Sequence, residues 1–190
     1  MAGLASGRPS RQACRGLSPF AGVGGPEPVF IKPQQPKQFT AGLYSQDALT
    51  ELASRQALPA STGVLVSPAV RWLNEFRCFC LGQEVRTCSV YLRDGHLAKA
   101  EDETWPAEVG ELEEAQAFVR SMLNSPASEP LPRAIVIDVG RIDGVGWAVV
   151  EANAAWGSGL YGCDPAAALD VVAAACQDLR EGSPGDSGPT

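Results

Sequence analysis

Asp138, Glu151 and Asn153 have the residue types and spacing to present oxygen donors together to a hard cation. Side chains of a strand alternate faces, so Glu151 and Asn153 project one way and Ala152 the other. Residues 133–153 predict a β-hairpin, and a two-residue turn at Gly144 and Val145 suits a primed turn with glycine first. With Asp143 then facing Gly146, counting back along both strands places Asp138 directly opposite Glu151. Two carboxylates and an amide oxygen suit Mg²⁺, which prefers octahedral oxygen coordination and keeps water and phosphate in its shell. Without a cation the paired carboxylates would repel. An acidic hairpin edge relieved by water is the plain alternative.

Several elements must hold that hairpin. Residues 28–33 read as an extended segment, a polar loop carrying Lys37 follows, and 39–44 read as its hairpin partner. Over 45–58, Ala48, Leu49, Leu52 and Ala53 recur at helical spacing behind a Ser/Asp start signal. A strand at 64–67 is followed by strands at 72–81 and 85–92 around a Gly82-Gln83 turn, with Glu75 and Arg77 on one face by parity. Residues 107–124 predict an amphipathic helix with a stripe of Val109, Leu112, Phe118, Val119 and Met122. A last helix is capped by Asp164, opens on Pro165 and lines one side with Leu169, Val172, Cys176 and Leu179. Residues 1–27 and 182–190, rich in Gly, Ser and Pro, are expected to lack fixed structure.

Composition narrows the function classes. The 22 acidic and 15 basic residues give a net charge of −7, which argues against broad binding to a nucleic-acid backbone and leaves room for a local basic pocket. No run of residues has the length and apolarity of a membrane span or a secretion signal, so a cytoplasmic location is expected. Six cysteines without a paired C-x-x-C spacing, and one histidine, His96, speak against structural zinc and a disulfide framework. Cys78 and Cys80 read as small buried hydrophobes, and His96 beside Gly95 reads as a solvent-facing turn residue rather than a general base.

The ordered series FIKP (30–33), Lys37, NEFRCF (74–79), IDVG (137–140) and VVEANAAWGSGLYG (149–162) resembles the ATP-grasp family, most of all the clade named for an arginine and two lysines. The resemblance implies an α+β fold of two lobes with mostly antiparallel sheets, the small lobe over 28–66 and the large lobe over 67–181, enclosing a cleft for ATP and Mg²⁺. It implies a carboxylate ligase, in which ATP phosphorylates a carboxylate and an amine, thiol or other nucleophile displaces phosphate from the acyl phosphate. Preorganised cations and a metal would stabilise the charge that develops on the transferred group.

By the same resemblance, Lys32 and Lys37 would contact ATP phosphates, and Arg77 would stabilise the phosphoryl or acyl-phosphate group with Lys32. Glu75 belongs to the same E-x-R element, and Arg71 and Arg86 are weaker candidates for the charge role. Val66 and Ser67 would read the adenine edge through strand backbone, while Asp138, Glu151 and Asn153 would hold the metal. Trp156, Ser158, Gly159 and Tyr161 would face the acceptor substrate, with a buried aromatic core as the alternative for the two rings. The family's usual N-terminal domain has no counterpart before Lys32, so a minimal enzyme, a site completed by a partner or oligomer, and a non-catalytic ATP-binding or partner-binding module are all expected readings.

Overall fold

The computed structural model describes residues 10–12, 27–35, 37–59, 61–128 and 131–176, and these divide into two compact units, residues 1–70 and 71–190. In the first unit, strands β1 (Ser10–Gln12), β2 (Val29–Pro33), β3 (Gly42–Tyr44) and β4 (Val64–Ser67) form an antiparallel sheet in the order β1-β4-β2-β3. Strand β1 lies inside the segment expected to lack fixed structure, and the expectation for 182–190 falls outside the described residues. Helix α1 (Gln46–Arg55) starts where Ser45 accepts a hydrogen bond from the Ala48 N–H, and it buries Leu49 and Ala53 against Ile31, Phe39 and Val64. The expected strand over 39–44 shortens to Gly42–Tyr44, because Lys37 adopts a left-handed φ of 65° and Phe39 turns into this core.

In the second unit, β5 (Trp72–Leu81), β6 (Glu84–Arg93), β7 (His96–Leu97), β8 (Ala134–Ile142) and β9 (Gly146–Asn153) form an antiparallel sheet in the order β7-β6-β5-β8-β9. Both faces are covered. Phe76, Cys78, Cys80, Ile135, Ile137 and Val139 pack with Ala115, Val119 and Leu123 of α2 (Glu111–Leu123). The opposite face carries Phe79, Ala134 and Val136 against Ala168 and Val171 of α3 (Pro165–Ala175), with Ala155 and Cys163 of the preceding loop. Asp164 caps α3 and Pro165 opens it, as the sequence predicts. Of the expected stripe of α3, Val172 packs against this core beside the buried Ala168 and Val171, whereas Leu169 and Cys176 are exposed and Leu179 falls outside the described residues. Helix α2 begins four residues later than expected because Gly110 is left-handed, and this leaves Val109 fully exposed.

Glu111, the first residue of α2, is tied to the sheet. Its carboxylate accepts from the Asn74 amide at 2.6 Å, from two Arg93 nitrogens at 3.1 and 2.8 Å, and from the Glu108 N–H at 2.9 Å. Hydrogen bonds from Arg93 lead the effects that hold this carboxyl down at about 2, against an ordinary 4.5. A carboxyl with a lower pKa in the folded than in the unfolded state stabilises the fold above the unfolded value and loses that contribution as pH falls. Urea midpoints measured across acid pH should therefore decline between 4.5 and about 2 in the parent. In Glu111→Gln the midpoint should be lower above that window, and the gap should close within it. Parallel profiles for the two proteins would contradict the assignment.

Candidate metal centre

Arg77 and Asp138 are directly opposite in the β5–β8 ladder, and Asp138 and Glu151 are directly opposite in the β8–β9 ladder. The second pairing matches the sequence expectation, but by a different route. The hairpin joins Ile142 to Gly146 through three residues, Asp143 to Val145, rather than through a two-residue turn. That offset is cancelled by a bulge: Val139 pairs with Val149 and Asp138 with Glu151, which leaves Val150 as the extra residue of β9. Side chains on either side of the bulge therefore serve different faces. Trp147, before it, packs with Phe76 and Phe118 on the α2 side, whereas Glu151 and Asn153, after it, share the opposite face with Asp138 and Arg77.

Arg77 grips Asp138 with two parallel hydrogen bonds, Nε to Oδ1 at 2.9 Å and Nη2 to Oδ2 at 2.7 Å. Asp138 has no exposed surface and Arg77 is 8% exposed. Hydrogen bonding to Asp138 raises Arg77, which stays cationic, while burial pushes the Asp138 carboxyl up against the pull of that guanidinium. A third Arg77 nitrogen donates to the Gly159 carbonyl at 3.2 Å. The guanidinium also lies over the rings of Tyr91 and Tyr161, 5.3 and 4.9 Å from their centroids, and Trp105 meets Tyr161 edge-on. Tyr91 donates its hydroxyl to Glu75 at 2.7 Å. Burial raises the Glu75 carboxyl, with Asp138 and Glu151 adding repulsion.

Glu75 and Asp138 each feel the repulsion of Glu151 beside this guanidinium. A cation on this face would meet Asp138, Glu151 and the Asn153 amide, whose nitrogen lies 2.9 Å from Glu151 Oε1 and 3.5 Å from Asp138 Oδ2. Ligation through Asn153 Oδ1 requires this amide to turn over, a rotation of the terminal torsion. Hard oxygen donors on one face fit Mg²⁺. Among the described residues no three His, Cys, Asp or Glu side chains form a metal cluster, and a third donor beside the two carboxylates would be the Asn153 amide.

Other candidates lie elsewhere. Arg71 pairs with Asp94 and Asp143 at the exposed end of the sheet, and Arg86 pairs with Asp170 and Glu84, so neither joins Arg77. Trp156 is 73% exposed, Ser158 donates to the Ala154 carbonyl, and only Tyr161 of the two expected rings joins the aromatic group. In the first unit, Lys32 pairs with Leu65 and Ser67 with Phe30, which puts both on the face opposite the buried Ile31. Lys37 is exposed in its loop. Val66, expected to offer strand backbone, instead pairs with Ile31 on one side and Ser10 on the other, and its side chain packs on the α1 core. Sequence reasoning misses Tyr91 and Trp105. The parity of β6 places Tyr91 two residues from Ser89, the partner of Arg77, but a bulge between Glu75 and Phe76 hides that register.

The family described as an ATP-grasp domain, the second family of the clade named for an arginine and two lysines, matches residues 18–171. No curated protein matches the chain. Among solved structures, a RimK domain ATP-grasp protein from Sphaerobacter thermophilus DSM 20745 is 17% identical over 82% of this chain and 51% of that one, with a TM-score of 0.44. The ATP-grasp ligase PsnB, complexed with minimal precursor, is 14% identical over 78% and 48% of the two chains, with a TM-score of 0.45. PsnB with minimal precursor, Mg and ADP gives 12% identity over 78% and 47%, with a TM-score of 0.42. The chain spans about half the length of these solved chains.

The register set by the bulge can be tested directly. Deleting Val150 removes the extra residue, so that Val139–Val149 and Asp138–Glu151 become consecutive pairs of a regular ladder, with Trp147 still on the α2 side and Glu151 and Asn153 still facing Asp138. The deletion variant should therefore fold and lose less than about 3 kcal/mol. Val150→Ala, which keeps the count, should stay within about 1.5 kcal/mol of the parent. Urea unfolding followed by circular dichroism measures both variants, and a deletion variant that fails to fold while Val150→Ala folds would remove the place given to the bulge.

Proposed function

Because this chain belongs to the ATP-grasp family, in the clade named for an arginine and two lysines, we propose that it binds ATP with Mg²⁺ and serves as a carboxylate ligase acting through an acyl phosphate. The observation that carries this reading is the convergence of Asp138, Glu151 and Asn153 beside Arg77 on one face of the larger sheet. Asp138, Glu151 and Asn153 are the proposed metal ligands, and a bound Mg²⁺ would neutralise phosphate charge and align the transferred group. Lys32 and Lys37 are proposed to meet the ATP phosphates, and Ser67, rather than the doubly paired Val66, to meet the nucleoside.

In the proposed reaction a carboxylate oxygen attacks the γ-phosphorus, the bond to the ADP oxygen breaks, and an acyl phosphate forms. A nucleophile then adds at the acyl carbon, gives up its proton and expels inorganic phosphate. Arg77 is proposed to stabilise the charge on the phosphoryl or acyl-phosphate oxygens with Lys32, since a guanidinium fork matches phosphate geometry. Glu75, held by Tyr91, is proposed to fix the electrostatic setting of Arg77 on the nucleotide side.

Equilibrium dialysis with labelled ATP tests the site. Asp138→Asn and Glu151→Gln should each weaken Mg²⁺-dependent ATP binding at least about tenfold while circular dichroism stays that of the parent. Parent-like binding by both variants would remove the metal assignment. Release of ADP and phosphate that rises on adding a carboxylate with an amine or thiol supports the ligase. Tight binding without such turnover across a broad panel would make the chain a nucleotide-binding module instead.

A further inference from the structure

We propose that Arg77 is the resident counter-cation of the carboxylate platform, so that a divalent ion reaches Asp138 only as the guanidinium gives up at least one of its two oxygens. The inference rests on the metal reading above and concerns what that reading leaves open, namely how the site exists before the ion arrives. Both Asp138 oxygens are engaged by Arg77, at 2.9 and 2.7 Å, and the Asn153 amide approaches the second at 3.5 Å. The residue has no exposed surface. With no exposed surface this carboxylate admits a hydrated ion only when a neighbouring group moves, and Arg77, bound to both oxygens, is the neighbour that covers most of its donors. A guanidinium left within hydrogen-bond reach of an ion-bound Asp138 would also repel the dication, with little water between to screen it.

The surroundings of Arg77 suit such an exchange. The guanidinium lies over the rings of Tyr91 and Tyr161, cation–π contacts that tolerate a small sideways shift, and its third nitrogen is already directed at the Gly159 carbonyl. The released donors would then be available to an anion. Cation arrival and arginine release become one event, which arms the arginine only when the metal is in place.

Titration of the full chain with Mn²⁺, followed by loss of the free-ion paramagnetic resonance signal and repeated with Mg²⁺ as competitor, tests this. Asp138→Asn reports whether the binding belongs to the platform. If Arg77 competes with the ion, Arg77→Gln should bind Mn²⁺ at least about tenfold more tightly than the parent, and Arg77→Lys, which keeps the charge but not the fork, should fall between them. In the parent, the near-ultraviolet circular dichroism of the tyrosines should change and saturate together with metal binding, a readout that stands even if Arg77→Gln does not fold. Asp138-dependent binding that is unchanged or weaker in Arg77→Gln, or a flat tyrosine signal while the parent binds the ion, would overturn the competition and leave the metal reading intact. Absence of Asp138-dependent binding in every protein would overturn both.

Discussion

A guanidinium and a carboxylate taken out of water each lose several kcal/mol of hydration, and their contact offsets that loss only when good geometry and further hydrogen bonds accompany it. The Arg77–Asp138 pair in the larger unit meets this condition through a parallel two-bond contact, a carbonyl for a third guanidinium nitrogen and two aromatic faces. Much of what surrounds the pair serves to keep it satisfied. Strand β6 contributes Tyr91, which also engages Glu75, and the loop after β9 contributes Gly159 and Tyr161. The pair therefore links β5, β6, β8 and that loop through side chains as well as through the ladder.

The sheet leaves little freedom in where such a pair can sit, because both of its faces are covered. Along one face of β5 the sequence changes from polar Glu75 and Arg77 to apolar Phe79 and Leu81, and on β8 Asp138 is followed toward the α3 end by Val136 and Ala134. One face is thus divided lengthwise, with α3 covering the apolar half and the acidic site occupying the other. Strand β9 must satisfy both faces in turn. It inserts Trp147 under α2 and then offers Glu151 and Asn153 to the acidic site, and a regular strand would put all three on one side. The bulge at Val150 resolves that conflict, in keeping with the general use of bulges to re-aim side chains beside sites.

Much of this is legible in the sequence where a local rule applies. Ser45 and the Asp164-Pro165 pair mark helix starts correctly because a cap acts within one turn. The facing of Asp138 and Glu151 can also be counted from the sequence, although only because a turn longer by one residue and a bulge of one residue cancel. What escapes depends on long-range packing. Glu111 looks like one of several acidic residues suited to a helix start, yet it is buried by Asn74 and Arg93 from distant strands. Tyr91 needs the β5–β6 register, which the bulge beside Glu75 conceals. Val66 looks available until the pairing of β1 fills the outer edge of β4. Among the described residues no helix is long and apolar enough to cross a membrane.

The loop that follows β9 is tied to the same pair from several directions. Gly159 accepts from Arg77, and the Cys163 thiol donates to the Arg77 backbone carbonyl at 3.4 Å. Tyr161 reaches its place over the guanidinium with a left-handed φ of 50°, a conformation that costs about 1 kcal/mol or more for a residue with a side chain. Gly162 lies so close to Ser89 and Trp105 that a Cβ there would come within 2.6 Å of both. A loop fixed in this way has few independent motions near its base, so displacement of Arg77 must be taken up by Tyr161 and Gly159. Trp156 and Leu160, exposed on the same loop, stand within a few residues of those two contacts. Gly159 and Tyr161 thus tie the backbone of this loop to the side chain that holds Asp138.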